Sequence, residues 1–202
     1  FQIALFDLPQ VESIDLAFDY PDYTGIDDIS EEDSGDMVVP EGTEVTVRVA
    51  FNKAIAEASM EFDAGFTSDE EEAPVFEYAD LPLQIEGNTG TATFTVAADG
   101  VYRVQAKDFD DLENKNPLDY FIRAIVDTPP ELDLRSPGRD EEVMPLEEVV
   151  LAIDARDDYG LSQFQLNYSV IGSDEVAVDF MQQASANGST VSNDGFTQLE
   201  VQ

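Results

Sequence analysis

The sequence predicts an all-β protein made of two β-sandwiches in tandem, the second incomplete. Three observations carry this reading. Apolar and polar residues alternate with a period of two, as in Val45-Thr46-Val47-Arg48-Val49 and again through residues 101–108. Turn signals built on Gly, Pro, Asp and Asn separate the alternating runs at sandwich spacing. An internal repeat also runs through the chain. Residues 1–9 (F-Q-I-A-L-F-D-L-P) align with residues 121–129 (F-I-R-A-I-V-D-T-P) at an offset of 120, and Ile14-Asp15-Leu16 then answers Leu132-Asp133-Leu134. A last strand, an Asp-x-Pro joint and a first strand thus occur twice, as in a stretch cut from a tandem array. Three parts follow: residues 1–10 as the closing strand of a preceding repeat, 11–127 as one sandwich, and 128–202 as a second, truncated one.

Length and composition fit this division. The 202 residues accommodate two domains of about 100 residues. A hydrophobic share of 43%, with 13 Phe and 7 Tyr, supplies packed cores, so disorder of the whole chain is not expected. Against this stand 45 acidic and 9 basic residues, a formal net charge of −36. Nucleic acid is excluded as a partner, because phosphate binding needs clustered Lys and Arg. An anionic membrane surface is disfavoured on the same ground. Such a chain repels itself and gains stability when salt or divalent cations screen it. A halophile, living in high salt, would select that balance; a very acidic soluble surface is the simpler account. No cysteine is present, so there are no disulfide staples. No apolar run is long enough to span a membrane, and direct membrane insertion of this stretch is not expected.

Taken in order, residues 1–6 read as the end of a strand bounded by Asp7 and Pro9, and residues 11–18 as a strand with Ile14, Leu16 and Phe18 on one face. Pro21 and Gly25 mark a turn. Residues 27–36 form an acidic loop from which no core can be built, and residues 67–73 form a second. Residues 38–49 return to order, with a Pro-Glu-Gly turn before the valine alternation. Residues 54–62 carry helical propensities, yet Ala56, Ala58, Met60 and Phe62 share a period-two face, and the strand reading is preferred. Short strands are expected at 75–78 and 83–86, and a longer one at 89–97. In residues 99–108 the Asp-Gly turn leads into a strand whose Tyr102, Val104, Ala106 and Asp108 face is expected to point inward. Residues 118–126 close the first sandwich. In the second, Val143-Met144-Pro145 and residues 149–153 match Val38-Val39-Pro40 and residues 45–49. Strands are expected at 161–168, 176–180 and 195–201, around a Ser/Asn/Gly loop at 185–194. Without counterparts of the last two strands, the second sandwich exposes unpaired backbone. Residues 1–6 of one molecule could complete it in another by head-to-tail strand exchange; a boundary that simply cuts the array is the cheaper account.

Three local patterns resemble one family. Gly100-x-Tyr102-x-Val104-x-Ala106-x-Asp108 is similar to the penultimate strand of bacterial immunoglobulin-like extracellular repeats, and Asp127-x-Pro129-Pro130 to their joints. Asp157-Asp158-Tyr159-Gly160-Leu161, with the Tyr20-Pro21-x-Tyr23-Thr24-Gly25 opening, resembles the repeats of large membrane-anchored envelope proteins. The resemblance covers most of residues 11–202. It implies tandem immunoglobulin-like β-sandwiches in an extracytoplasmic place, periplasmic or on the cell surface, and it implies no catalytic residue.

Chemistry points the same way. With no His and no Cys, neither a Ser-His-Asp nor a Cys-His arrangement can form, nor a zinc site of the usual ligands. Pairs of carboxylates could hydrolyse glycosides, but among 45 acids such a pair has no specificity. The chain is therefore not read as an enzyme. No cofactor is required; calcium is the one candidate, because hard cations take carboxylate and carbonyl oxygens. Its candidate ligands are Asp108, Asp110, Asp111 and Glu113, with Asn114 beside them and Asp127 at the joint, and a second set, Asp154, Asp157 and Asp158. The alternative, which is preferred, is that these aspartates serve turns by bonding their own backbone. Tyr20, Tyr23, Tyr159 and Tyr168 are mostly expected in cores rather than on a sugar-stacking surface. Asn187-Gly188-Ser189 matches a glycosylation acceptor, a pattern short enough to arise by chance. The expected function is a non-catalytic spacer or protein-interaction module of a bacterial envelope ectodomain, its partner a protein or its own neighbouring repeats. The alternatives are a calcium-dependent adhesion module and an accessory module of a carbohydrate-active enzyme.

Overall fold

Strands form where alternation lets one face leave water. The computed structural model describes residues 7–64, 78–136, 144, 152–161, 163–169, 174–179 and 197–200, with only the backbone of 64 and 197–200. Among these the chain is all-β, with no α-helix and hence no helix able to cross a membrane. It divides into two compact units, Phe1–Val126 and Asp127–Gln202. The strand expected at residues 1–6 lies outside the described residues. So do the acidic stretch 67–73, residues 75–77, most of 143–150 and the loop 185–194.

In the first unit, β1 (Val11–Asp19) is followed by a 3-10 turn (Asp22–Thr24), β2 (Ile29–Glu31), β3 (Met37–Pro40) and β4 (Glu44–Phe51). Then come β5 (Glu57–Ala64), β6 (Leu81–Pro82), β7 (Gln84–Glu86), β8 (Thr89–Thr95), β9 (Gly100–Lys107) and β10 (Tyr120–Ile125). They make two five-stranded sheets, ordered β2-β1-β4-β8-β7 and β3-β10-β9-β5-β6. Pairing is antiparallel except for β3 with β10, which is parallel, with Met37 opposite Ile122 and Val39 opposite Ala124.

One buried cluster draws on both sheets, which is consistent with a β-sandwich. The first sheet contributes Ile14, Leu16, Phe18, Val45, Val47, Val49 and Phe51; the second contributes Met37, Val39, Met60, Tyr102, Val104 and Ile122. The alternation explains this directly. On β4 the three valines and Phe51 are fully buried while Glu44 and Arg48 face solvent. Among the described residues of this unit the chain changes sheets five times, and two of these crossings join edge strands, β2 to β3 and β6 to β7, where Leu83 enters the core. At the Glu41-Gly42 turn, Gly42 adopts a φ of 90° and donates its N–H to Val96 O at 2.7 Å, while the buried Thr43 hydroxyl donates to Pro40 O at 2.7 Å.

Two expectations need correction. The acidic stretch 27–36 is not wholly a loop: β2 pairs antiparallel with β1, Ala17 opposite Ser30, although all three of its residues are exposed. Main-chain hydrogen bonds suffice for an edge strand, and its acidic neighbours keep that edge from pairing further. On the strand expected at 54–62, Ala58 and Met60 are buried and Phe62 half-buried, but Ala56 precedes β5 and is exposed; Ile55 fills the core instead.

The second unit contains β11 (Glu131–Ser136), β12 (Ala152–Arg156), β13 (Gln165–Tyr168), β14 (Val176–Asp179) and β15 (Thr197–Glu200). These pair as β11-β12-β15 and β13-β14, all antiparallel. Ala155 and Phe164 are buried, with Ile153, Leu161, Leu166 and Val178 packed against them.

Candidate functional site

The inward face of β9 runs Tyr102, Val104, Ala106 and then Asp108, one residue past the strand, so a carboxylate enters the apolar interior in phase with the core. Its exposure is 2%, which obliges it to find partners. Oδ1 accepts the N–H groups of Asp110 (2.8 Å) and Leu112 (3.0 Å), and Oδ2 accepts from Lys53 Nζ at 2.7 Å. The Lys53 hydrogen bond outweighs the desolvation of burial and, with the two N–H groups, lowers the Asp108 pKa below its ordinary 3.8. The same bond raises Lys53 above 10.5 against its own desolvation.

Lys53 follows Asn52 in the turn after β4, and the pair also grips the chain that enters the unit. Lys53 Nζ donates to Asp7 O (2.9 Å), and Asn52 Nδ2 to Leu8 O (3.1 Å). Gln10 N donates to Asn52 Oδ1 (2.9 Å), and Asn52 N to Gln10 O (3.1 Å). Pro9 is buried between these contacts.

Asp110, Asp111 and Glu113 are exposed around this turn. Asp111 takes a left-handed φ of 57°, and its Oδ1 lies 3.7 Å from Lys107 Nζ. Asn114 extends the β9 ladder, accepting from Ala106 N at 2.8 Å and donating to Val104 O at 2.9 Å. Asp108 thus bonds its own turn and forms an ion pair as well.

The other expected acids lie in the second unit. Asp154 pairs with Arg135. Asp157 Oδ2 accepts Tyr159 N at 3.2 Å, again a turn bond. Asp158 Oδ2 accepts both Thr128 N (3.3 Å) and Thr128 Oγ1 (3.1 Å). Desolvation, the Asp158 charge and hydrogen bonding with that carboxyl raise Asp127 above its ordinary 3.8. In Asp158 desolvation acts upward too, but the bonds from Thr128 and Asp127 outweigh it and the pKa falls. The structure therefore brings Asp127, Asp157 and Asp158 into one neighbourhood, with Asp154 on its own ion pair. Among the described residues, no three or more acidic side chains converge in a metal-holding group.

The tyrosines divide differently from expectation. Tyr20 is half-buried and stacks on Phe18 at 6.0 Å between centroids, but Tyr23 and Tyr168 are 49% and 44% exposed. Tyr23 sits on the 3-10 turn, its hydroxyl donating to Glu41 O, and Tyr168 ends β13. The core tyrosine is Tyr102, whose hydroxyl donates to Gly35 O at 2.6 Å while its ring stacks on Tyr120. Burial raises the Tyr102 pKa well above the ordinary 10.0.

Lys53 and Asn52 escape a reading of the sequence. The phase of Asp108 with Tyr102 is the signal that could have pointed to a buried cationic partner, and the chain has few cations to choose from. No family model matches the chain, and no match was found among curated proteins or solved structures.

Proposed function

We propose that the chain consists of immunoglobulin-like modules serving as non-catalytic spacers or protein-interaction units in the ectodomain of a bacterial cell-envelope protein. The strand order of the first unit carries this reading. β1, β4, β8 and β7 stand adjacent in one sheet and β5, β9 and β10 in the other, the A-B-E-D and C-F-G order of immunoglobulin sandwiches. The 120-residue repeat supports modules in series. The envelope setting rests on the likeness of Gly100-x-Tyr102-x-Val104-x-Ala106-x-Asp108 and Asp127-x-Pro129-Pro130 to such repeats. The mechanism is geometric: sandwiches joined by short proline-containing segments hold another domain at a distance, or offer edges and loops to a partner.

Protease added to intact or outer-membrane-permeabilised cells of the source organism, with an antibody against the first unit, tests the setting. Loss of the band while a cytoplasmic marker survives is expected; protection until lysis of the cytoplasm overturns it. Replacing the first unit by an unrelated sandwich of similar length then separates the two roles, since a spacer tolerates the exchange and an interaction unit does not.

One observation favours calcium-dependent adhesion as the second reading. Desolvation and the negative charges of Asp158 and Asp157 raise the Asp127 carboxyl above its ordinary value, and neighbouring carboxylates of this kind are relieved either by a proton or by a cation.

A further inference from the structure

We infer that each unit clamps the chain entering it from the turn that follows the partner of its first strand, with Asn52 and Lys53 in one unit and Asp158 in the other. Strand pairing places the two turns alike. β1 pairs with β4 from Val11 opposite Phe51, and β11 pairs with β12 from Glu131 opposite Arg156. Just beyond these pairs stand Asn52 and Lys53 in one unit and Asp157 and Asp158 in the other. In the entering segments, Asp7, Leu8 and Pro9 correspond to Asp127, Thr128 and Pro129 at the 120-residue offset of the sequence repeat.

The bonds repeat in place and change in chemistry. In the first unit the second residue of the pair, Lys53, donates to the carbonyl of Asp7. In the second unit Asp158 accepts from the N–H and hydroxyl of Thr128. Donor has become acceptor, and the group it holds has changed from a main-chain carbonyl to a main-chain N–H. One bond cannot recur: Gln10 gives its N–H to Asn52, whereas its counterpart Pro130 has none to give. Lys53 is itself anchored by buried Asp108, so the first clamp is tied to the far end of β9. In sequence, Val126 alone separates β10 from the segment that the second unit clamps.

The inference rests on these hydrogen bonds and the register, not on the spacer reading, which would survive its failure. Backbone 15N relaxation on the intact 202-residue chain tests it. Native order parameters of Asp7, Leu8, Gln10, Asp127 and Thr128 should approach those of the strands, about 0.85. Asn52→Ala should drop Asp7, Leu8 and Gln10 below about 0.6 while Thr128 and β4 stay unchanged. Asp158→Ala should do the converse. Native values already below about 0.6 would overturn the inference without any variant, even if Asn52→Ala failed to fold. Rigid segments that neither substitution loosens would overturn it too, and loosening by one variant alone would break the equivalence of the two units.

Discussion

At the scale of single residues, the ion pair of Lys53 with Asp108 is set apart from the other ion pairs described in the first unit, because one partner has left water. Its pH dependence follows from the directions of the shifts. Asp108 is lowered by folding, so its contribution is present above about 3.8 and is lost as pH falls through the still lower folded value. Lys53 is raised, so its contribution is present below about 10.5 and is lost as pH rises through the folded value. Asp108→Asn leaves an amide N–H facing the Lys53 ammonium and should lower the urea midpoint at pH 7. The gap between native chain and variant should close as pH falls below about 4. A gap that persists unchanged to pH 2 would show that Asp108 acts through shape rather than charge. Of this site, the phase of Asp108 with the core face was legible in the sequence. Lys53 was not, because it lies 55 residues away and no local pattern connects a turn after β4 to a turn after β9.

At the scale of elements, each strand reveals itself in sequence to the extent that it buries a face. β4 and β9 alternate cleanly because both lie in the interior of a sheet with one side on the core, and their outlines are plain from composition alone. β2 buries nothing and is held by main-chain bonds to β1, so no side-chain pattern betrays it. The brief β6 and β7 are divided by Leu83 as the chain changes sheets, a matter of topology that periodicity does not encode. β1 and the β2 strand beside it should therefore respond differently to substitution. Leu16, 1% exposed on the core face, should cost about 2–5 kcal/mol on truncation to Ala. Ile29→Thr on β2 should stay within about 0.5 kcal/mol of the native chain. Urea denaturation of both variants checks the contrast, and a large loss from Ile29→Thr would mean that β2 carries packing its exposure does not suggest.

At the scale of the molecule, the sequence repeat is legible because it recurs in local identity, Phe, Ala, Asp and Pro at fixed places. The consequence of a net charge of −36 is less local. Most carboxylates are exposed, few cations answer them, and the compact state therefore concentrates like charge. Raising NaCl from 0.01 to 1 M shrinks the screening length from about 30 to about 3 Å, and the thermal midpoint should rise with it. Each kcal/mol of repulsion removed is worth about 4–8 °C in a domain of 60–100 residues. Calcium separates screening from binding. At equal ionic strength CaCl2 and MgCl2 should give the same midpoint if the acids of the Asp127, Asp157 and Asp158 neighbourhood act only as turn and clamp groups. A further rise with calcium alone, abolished by Asp158→Ala, would instead move the adhesion reading ahead of the spacer, since a ligand that binds the folded state stabilises it by mass action.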